Sequence, residues 1–96
     1  THFPQNHIGI ARDLGFLGYV HKGLGNHNKA IALLEESRKY YIQYFPDNYM
    51  DLANVLIGLG ITYKELGQLN LAQSLFDEAL TLYKKNLPPN HAHIAR

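Results

Sequence analysis

The sequence predicts an all-α chain assembled from copies of one helical hairpin, and three observations carry that prediction. Laid over residues 7–48, residues 49–90 are identical at 14 of 42 positions without a gap, the mark of a stacked repeat array. Ile10, Leu14, Leu17 and His21 stand four, three and four residues apart, as do Leu52, Leu56, Leu59 and Tyr63, so each set lies on one face of a helix. β-Branched residues are scattered and no period-two alternation persists, which leaves nothing to build strands from.

Each element follows from local signals. Three copies of one junction, Phe3-Pro4-Gln5-Asn6-His7, Phe45-Pro46-Asp47-Asn48-Tyr49 and Leu87-Pro88-Pro89-Asn90-His91, read as helix starts, with Asn6, Asn48 and Asn90 as N-caps. Asp51, three residues after Asn48, is placed to reach back to the cap amide and to favour the positive helix end. The first helix of the second copy should therefore begin near Tyr49. Gly25 and Gly67 follow Leu24 and Leu66 where the period pauses, as left-handed C-caps do. A second helix is expected from about Asn28 to Tyr44 in one copy and from about Asn70 to Asn86 in the next, each stopped by Pro46 or Pro88. The chain then divides into units 7–48 and 49–90 and the start of a third, 91–96, all within one array over residues 1–96. Because Thr1 is not an initiator Met and Arg96 lies just inside the third unit, we expect a fragment of a longer array.

Composition narrows the functional classes. A hydrophobic share of 46% against 18% charged residues excludes a disordered tail, and no apolar run approaches a membrane span. A net charge of +1 supplies no long-range attraction for nucleic acid or anionic lipid. The chain has no cysteine, which removes disulfides, thiolate metal sites and a cysteine nucleophile. That composition fits a reducing compartment, and a cytoplasmic location is the expectation.

The run Leu56-x2-Leu59-Gly60-x2-Tyr63-x3-Gly67, followed by Ala72, Phe76 and Ala79, resembles the tetratricopeptide repeat signature. Leu14, Leu17, Gly18, His21, Gly25, Ala30, Leu34 and Ser37 hold the same places one unit earlier. The 42-residue period, with Pro and Asn at the junction, is similar to the variant found in kinesin light chains. The resemblance implies hairpins stacked in a right-handed superhelix and a role in binding a peptide or partner helix. Independently of it, Gly18 with Ala30 and Gly60 with Ala72 let the two helices of a hairpin approach closely. Leu34 and Phe76 would fill the space beside that crossing, and Ser37 and Ala79 would meet the next unit's first helix.

With Leu14, Leu17, Gly18 and His21 forming the packed stripe, a rotation of about 100° per residue puts Arg12, Gly15, Tyr19, Lys22 and Gly23 on the far side. Asn54, Ile57, Ile61, Lys64 and Glu65 are their repeat equivalents, and Arg96 opens the same row in the third unit. In tetratricopeptide arrays, the resemblance implies, this row lines the concave groove. The candidate partner-binding residues are thus Arg12, Tyr19, Lys22, Asn54, Ile57, Ile61, Lys64, Glu65 and Arg96. Apolar side chains at Tyr19, Ile57 and Ile61, interleaved with cations, suit a protein or peptide carrying acidic and apolar residues. The paired Asn that kinesin light chains carry in this helix is replaced by Gly15-Phe16 and Ile57-Gly58, so that ligand class does not transfer.

Other chemistries are set aside. Of the six histidines, His91 shares its slot with His7 and Tyr49, and His21 shares a core slot with Tyr63, so packing explains them better than a metal does. Glu35, Glu36, Asp77 and Glu78 recur at matching positions and read as a solvated face. Ser37 and Ser74 lack a catalytic constellation, and the glycines sit at turns and crossings rather than in a phosphate loop. We therefore expect no catalysis, cofactor or metal. A self-associating or regulatory arm of a larger signalling protein is the alternative, because the face of the last helix bearing Leu75, Ala79, Leu82 and Tyr83 should lack a covering unit and promote homo-oligomers.

Overall fold

The computed structural model describes residues 4–86, which form four helices: α1 (Pro4–Gly23), α2 (His27–Tyr44), α3 (Tyr49–Glu65) and α4 (Leu69–Asn86). Among the described residues there is no strand. Asn90, His91 and Arg96 lie outside them.

Two of the expected caps are absent. Helix α1 already runs at Pro4, because a first-turn proline lacks only an N–H that would be unpaired anyway; Asn6 lies within the helix rather than before it. Asn48 does precede α3, yet its side chain makes no cap hydrogen bond. Asp51 does not close a capping box either, since its carboxylate engages Arg12 of α1 at 3.4 Å. The helix stops behave as the glycines require. Gly25 and Gly67 have φ of +82° and +84°, and each begins the same pair of closing bonds. Gly25 N–H donates to Lys22 O at 3.1 Å and Asn26 N–H to His21 O at 2.8 Å, matched by Gly67 to Lys64 O and Gln68 to Tyr63 O, both at 2.9 Å. These pairs satisfy carbonyls that the helix end leaves unpaired.

Helix α3 is central: it packs against α4, α2 and α1. Leu52, Ala53, Val55, Leu56, Gly58, Leu59, Gly60 and Thr62 are all buried, as a helix enclosed on most of its circumference demands. Glycines set the hairpin crossings. A Cβ on Gly18 would come within 2.6 Å of Leu34, and one on Gly60 within 2.6 Å of Phe76. Ser37 is fully buried, and its hydroxyl bonds within its own hairpin, donating to Ala11 O at 2.7 Å. That bond satisfies the only polar atom of the side chain.

Two expected faces are also corrected. Ile10 and Leu17 of the supposed packed stripe are 42% and 49% exposed, whereas their equivalents Leu52 and Leu59 are 7% and 0%. The cause is position: α2 lies across α3, and no described helix lies across α1 in the same way. On α4, Leu75 and Ala79 are buried in the shared core, with Leu82 and Tyr83 packed against it, so they are not an uncovered face. The exposed leucines of α4 are Leu69, Leu71 and Leu80.

Candidate functional site

Between α1 and α3, with α2 beneath, lies a largely apolar cleft of about 350 Å³ lined by Arg12, Gly15, Phe16, Tyr19, Tyr41, Asp51, Asn54 and Val55. Position 15, which carries no side chain, is part of its lining. A Cβ there would stand 3.4 Å from Ser37 Oγ and 3.9 Å from Val55, so buried Gly15 has neighbours at contact distance and room for little more than a methyl group. Phe16 forms an outer wall and is 68% exposed. Tyr19 forms the inner wall: its hydroxyl donates to Asn54 O, and its ring rests on Gly58.

The rim is polar. Arg12 Nε meets Asp51 Oδ2 at 3.4 Å, an exposed pair of small energetic weight. Its terminal nitrogens hold no acidic partner among the described residues. Lys22 Nζ sits 5.6 Å from the centroid of the Tyr19 ring, a cation–π arrangement. Asn54 is held from the other side, where Tyr83 Oη donates to its Oδ1 at 3.3 Å. Burial pushes Tyr41 up to about 12, with the Asp51 carboxylate adding to the rise and Arg12 opposing it. Burial likewise raises Tyr19, with Tyr83 adding to it. Both phenols are therefore neutral at ordinary pH, and the cleft's charge resides at Arg12, Asp51 and Lys22.

Of the residues singled out in the sequence, Arg12, Tyr19 and Asn54 line the cleft, and Lys22 stands at its edge. Ile57 packs against the core, Ile61 is half-buried and Lys64 is exposed. Glu65 turns away, since it pairs with His27 at the start of α2 at 3.2 Å. Phe16, Tyr41, Asp51 and Val55 were not singled out. Tyr41 had a signal, for Tyr41 and Tyr83 are an identical pair in the repeat, and each meets the corresponding α1 or α3 position, Arg12 or Asn54. In the sequence Asp51 carries only a helix-start signal, because its contact with Arg12 comes from a separate hairpin.

The remaining polar clusters do structural work. Arg38 bridges α2 and α4 through Glu35 at 3.4 Å and Glu78 at 3.3 Å, so two carboxylates expected on a solvated face are tied down. His7 stacks on Tyr44 with centroids 4.0 Å apart, and His21 Nδ1 lies 3.2 Å from Asn26 Nδ2. Among the described residues no group of three or more His, Asp or Glu side chains is placed to hold a metal ion. No described helix is long and apolar enough to cross a membrane.

Glycine-stopped helical hairpins that cross at Gly18 and Gly60 define a helical-repeat protein. A family profile described as tetratricopeptide repeat matches residues 9–85, and the chain belongs to that family. Such repeats generally mediate protein–protein interaction and are non-catalytic modules. No curated protein and no solved structure matches the chain.

Proposed function

We propose that the chain is a protein-interaction module without catalysis of its own, which takes an extended segment or helix of a partner along the groove between α1 and α3. The observation that carries this reading is the cleft itself: a largely apolar lining that includes Gly15, and cations at Arg12 and Lys22 beside it. Lys64 continues the row as the repeat equivalent of Lys22. Such a surface suits a segment having acidic and apolar residues, because charge complementarity selects the partner while apolar contact supplies affinity. The 42-residue units, their likeness to kinesin light chains and a cytoplasmic setting belong to this same reading. The experiment is a screen against an array of acidic-apolar peptides. Binders should be lost on combined Lys22→Glu and Lys64→Glu, and a binder set unchanged by both reversals would move the site to another face.

The second reading, a self-associating or regulatory arm, draws on Ile10, Leu17 and Val20 of α1. They are 42%, 49% and 55% exposed, where Leu52, Leu59 and Thr62 at the equivalent positions of α3 are buried. Sedimentation of the chain beside Leu17→Lys tests it: a dimer or larger species should become monomeric, and a wild-type monomer at high concentration would end this reading.

A further inference from the structure

Beyond the groove reading, we propose that the outer face of α1 is a docking surface for a basic amphipathic helix of a partner protein. This is the face that α2 covers on α3. Ile10, Leu17 and Val20 stand exposed on it where Leu52, Leu59 and Thr62 are buried, so the first hairpin offers an apolar stripe with the spacing of a helix contact. Two carboxylates share that side. Asp13 is exposed and holds the slot of Val55, which is buried at the junction between the hairpins. Glu36 holds the slot of Glu78, which Arg38 of the first hairpin reaches at 3.3 Å. Neither Asp13 nor Glu36 has an ion pair among the described residues.

The junction between the two hairpins shows what chemistry such a face accepts. Among the described residues, each ion pair that crosses it puts the base on the first hairpin and the carboxylate on the second: Arg12 with Asp51 at 3.4 Å, His27 with Glu65 at 3.2 Å and Arg38 with Glu78 at 3.3 Å. The covering helix thus brings the base, and the hairpin it covers supplies the acid. A helix laid across α1 as α2 lies across α3 would carry the residue at the place of Arg38 to Glu36 and would cover Asp13. An apolar residue at that place would leave a desolvated carboxylate without a partner, so the place calls for Lys or Arg. One turn earlier, at the place of Leu34, the helix needs a small residue. Leu34 Cδ1 stands 3.3 Å from a Cβ built on Gly58, and α1 carries Phe16 in the slot of Gly58. The fitting signature is therefore a small residue, three of any kind, then Lys or Arg, set in an apolar stripe. A second copy of this chain does not supply it, because α4 has Phe76 and Leu80 at those two places, setting ring against ring and leucine against carboxylate.

The test uses a peptide of residues 26–45 of this chain, held helical by a lactam bridge, in three forms: unchanged, Leu34→Ala, and Leu34→Ala with Arg38→Glu. Each is titrated into the isotope-labelled chain and followed by amide chemical shifts. The Leu34→Ala peptide should bind and shift Ile10, Asp13, Leu17 and Val20. Its affinity should fall about 2- to 5-fold in Glu36→Gln, the weight of a partly exposed ion pair. Glu36→Arg should reverse the choice and take the Arg38→Glu form over its parent. The unchanged peptide should bind the wild type more weakly than the Leu34→Ala form does, and Phe16→Ala should remove that difference. Equal affinity of the wild type for the Arg38 and Arg38→Glu forms, or no binding by any form, would overturn the inference. A wild-type dimer that Leu17→Lys dissociates would do the same, by giving the face to a second copy. Shifts confined to Asn54, Ile57 and Lys64 would also overturn it while leaving the groove reading standing, and acidic-apolar peptides indifferent to Lys22 and Lys64 would end the groove reading without touching this one.

Discussion

At the scale of single residues, glycines do different jobs in the first helices of the two hairpins. Gly60 is a packing glycine, because a Cβ there would lie 2.6 Å from the Phe76 ring. Gly60→Leu should therefore destabilise the chain by about 1–3 kcal/mol or more, as overpacking does, and thermal melting followed by helical circular dichroism measures it. Gly15 lines the cleft, and its Cβ would meet Ser37 Oγ at 3.4 Å, an ordinary contact rather than a clash. Gly15→Ala should raise stability, by up to about 1 kcal/mol of helix propensity, while narrowing the cleft. Tyr41 shows a third residue-scale effect. Its folded pKa of about 12 stands above the ordinary 10, so in that window the unfolded chain releases a proton that the folded chain keeps. Its contribution is full below pH 10 and falls as pH rises toward 12. Urea midpoints should thus drop between pH 9 and pH 11, and Tyr41→Phe should make that drop smaller.

At the scale of elements, position in the stack decides what a repeated residue is worth. Leu17 and Leu59 are the same residue in the same slot, yet one is 49% exposed and the other 0%, because α2 covers α3. Leu59→Ala should cost about 2–5 kcal/mol as a buried truncation does, and Leu17→Ala well under half of that, read from denaturant midpoints of the two variants. The sequence period could not separate them, since it records a slot and not its neighbours. Helix stops were legible because a positive φ needs glycine, which is a local matter. Helix starts are less so: Asn48 stands where local signals place a cap, but its side chain makes no such bond. Asp51 was drawn off by Arg12, 39 residues away. Likewise Ser37 and Ala79 share a slot, but only Ser37 carries a hydroxyl, and the Ala11 carbonyl of its own hairpin takes it. In each case a contact from another helix overrode a pattern within one.

At the scale of the whole molecule, the α1 side of the cleft is legible in the sequence because one face of the first helix cannot serve the hairpin's own core. The rest of the cleft is not, since Tyr41 and Asp51 enter it from other helices. The same inter-hairpin contacts govern cooperativity. Gly58 of the second hairpin is pressed from the first by Tyr19 Cζ at 3.0 Å and Leu34 Cδ1 at 3.3 Å, measured from a Cβ it does not have. Phe16 holds the equivalent place on α1, so this close approach cannot be repeated unchanged on that helix. Helix α3 packs against all the others, and a short array coupled through one shared helix should unfold as a unit. Gly58→Val puts a branched side chain into this junction and wedges the hairpins apart while leaving the Gly18 and Gly60 crossings intact. Native-state hydrogen exchange should then find the slowest amides of α2 and α4 opening with one common free energy in the wild type and with two different ones in the variant. A variant whose two helices still open together, at an unchanged free energy, would show that the junction at Gly58 does not couple the hairpins.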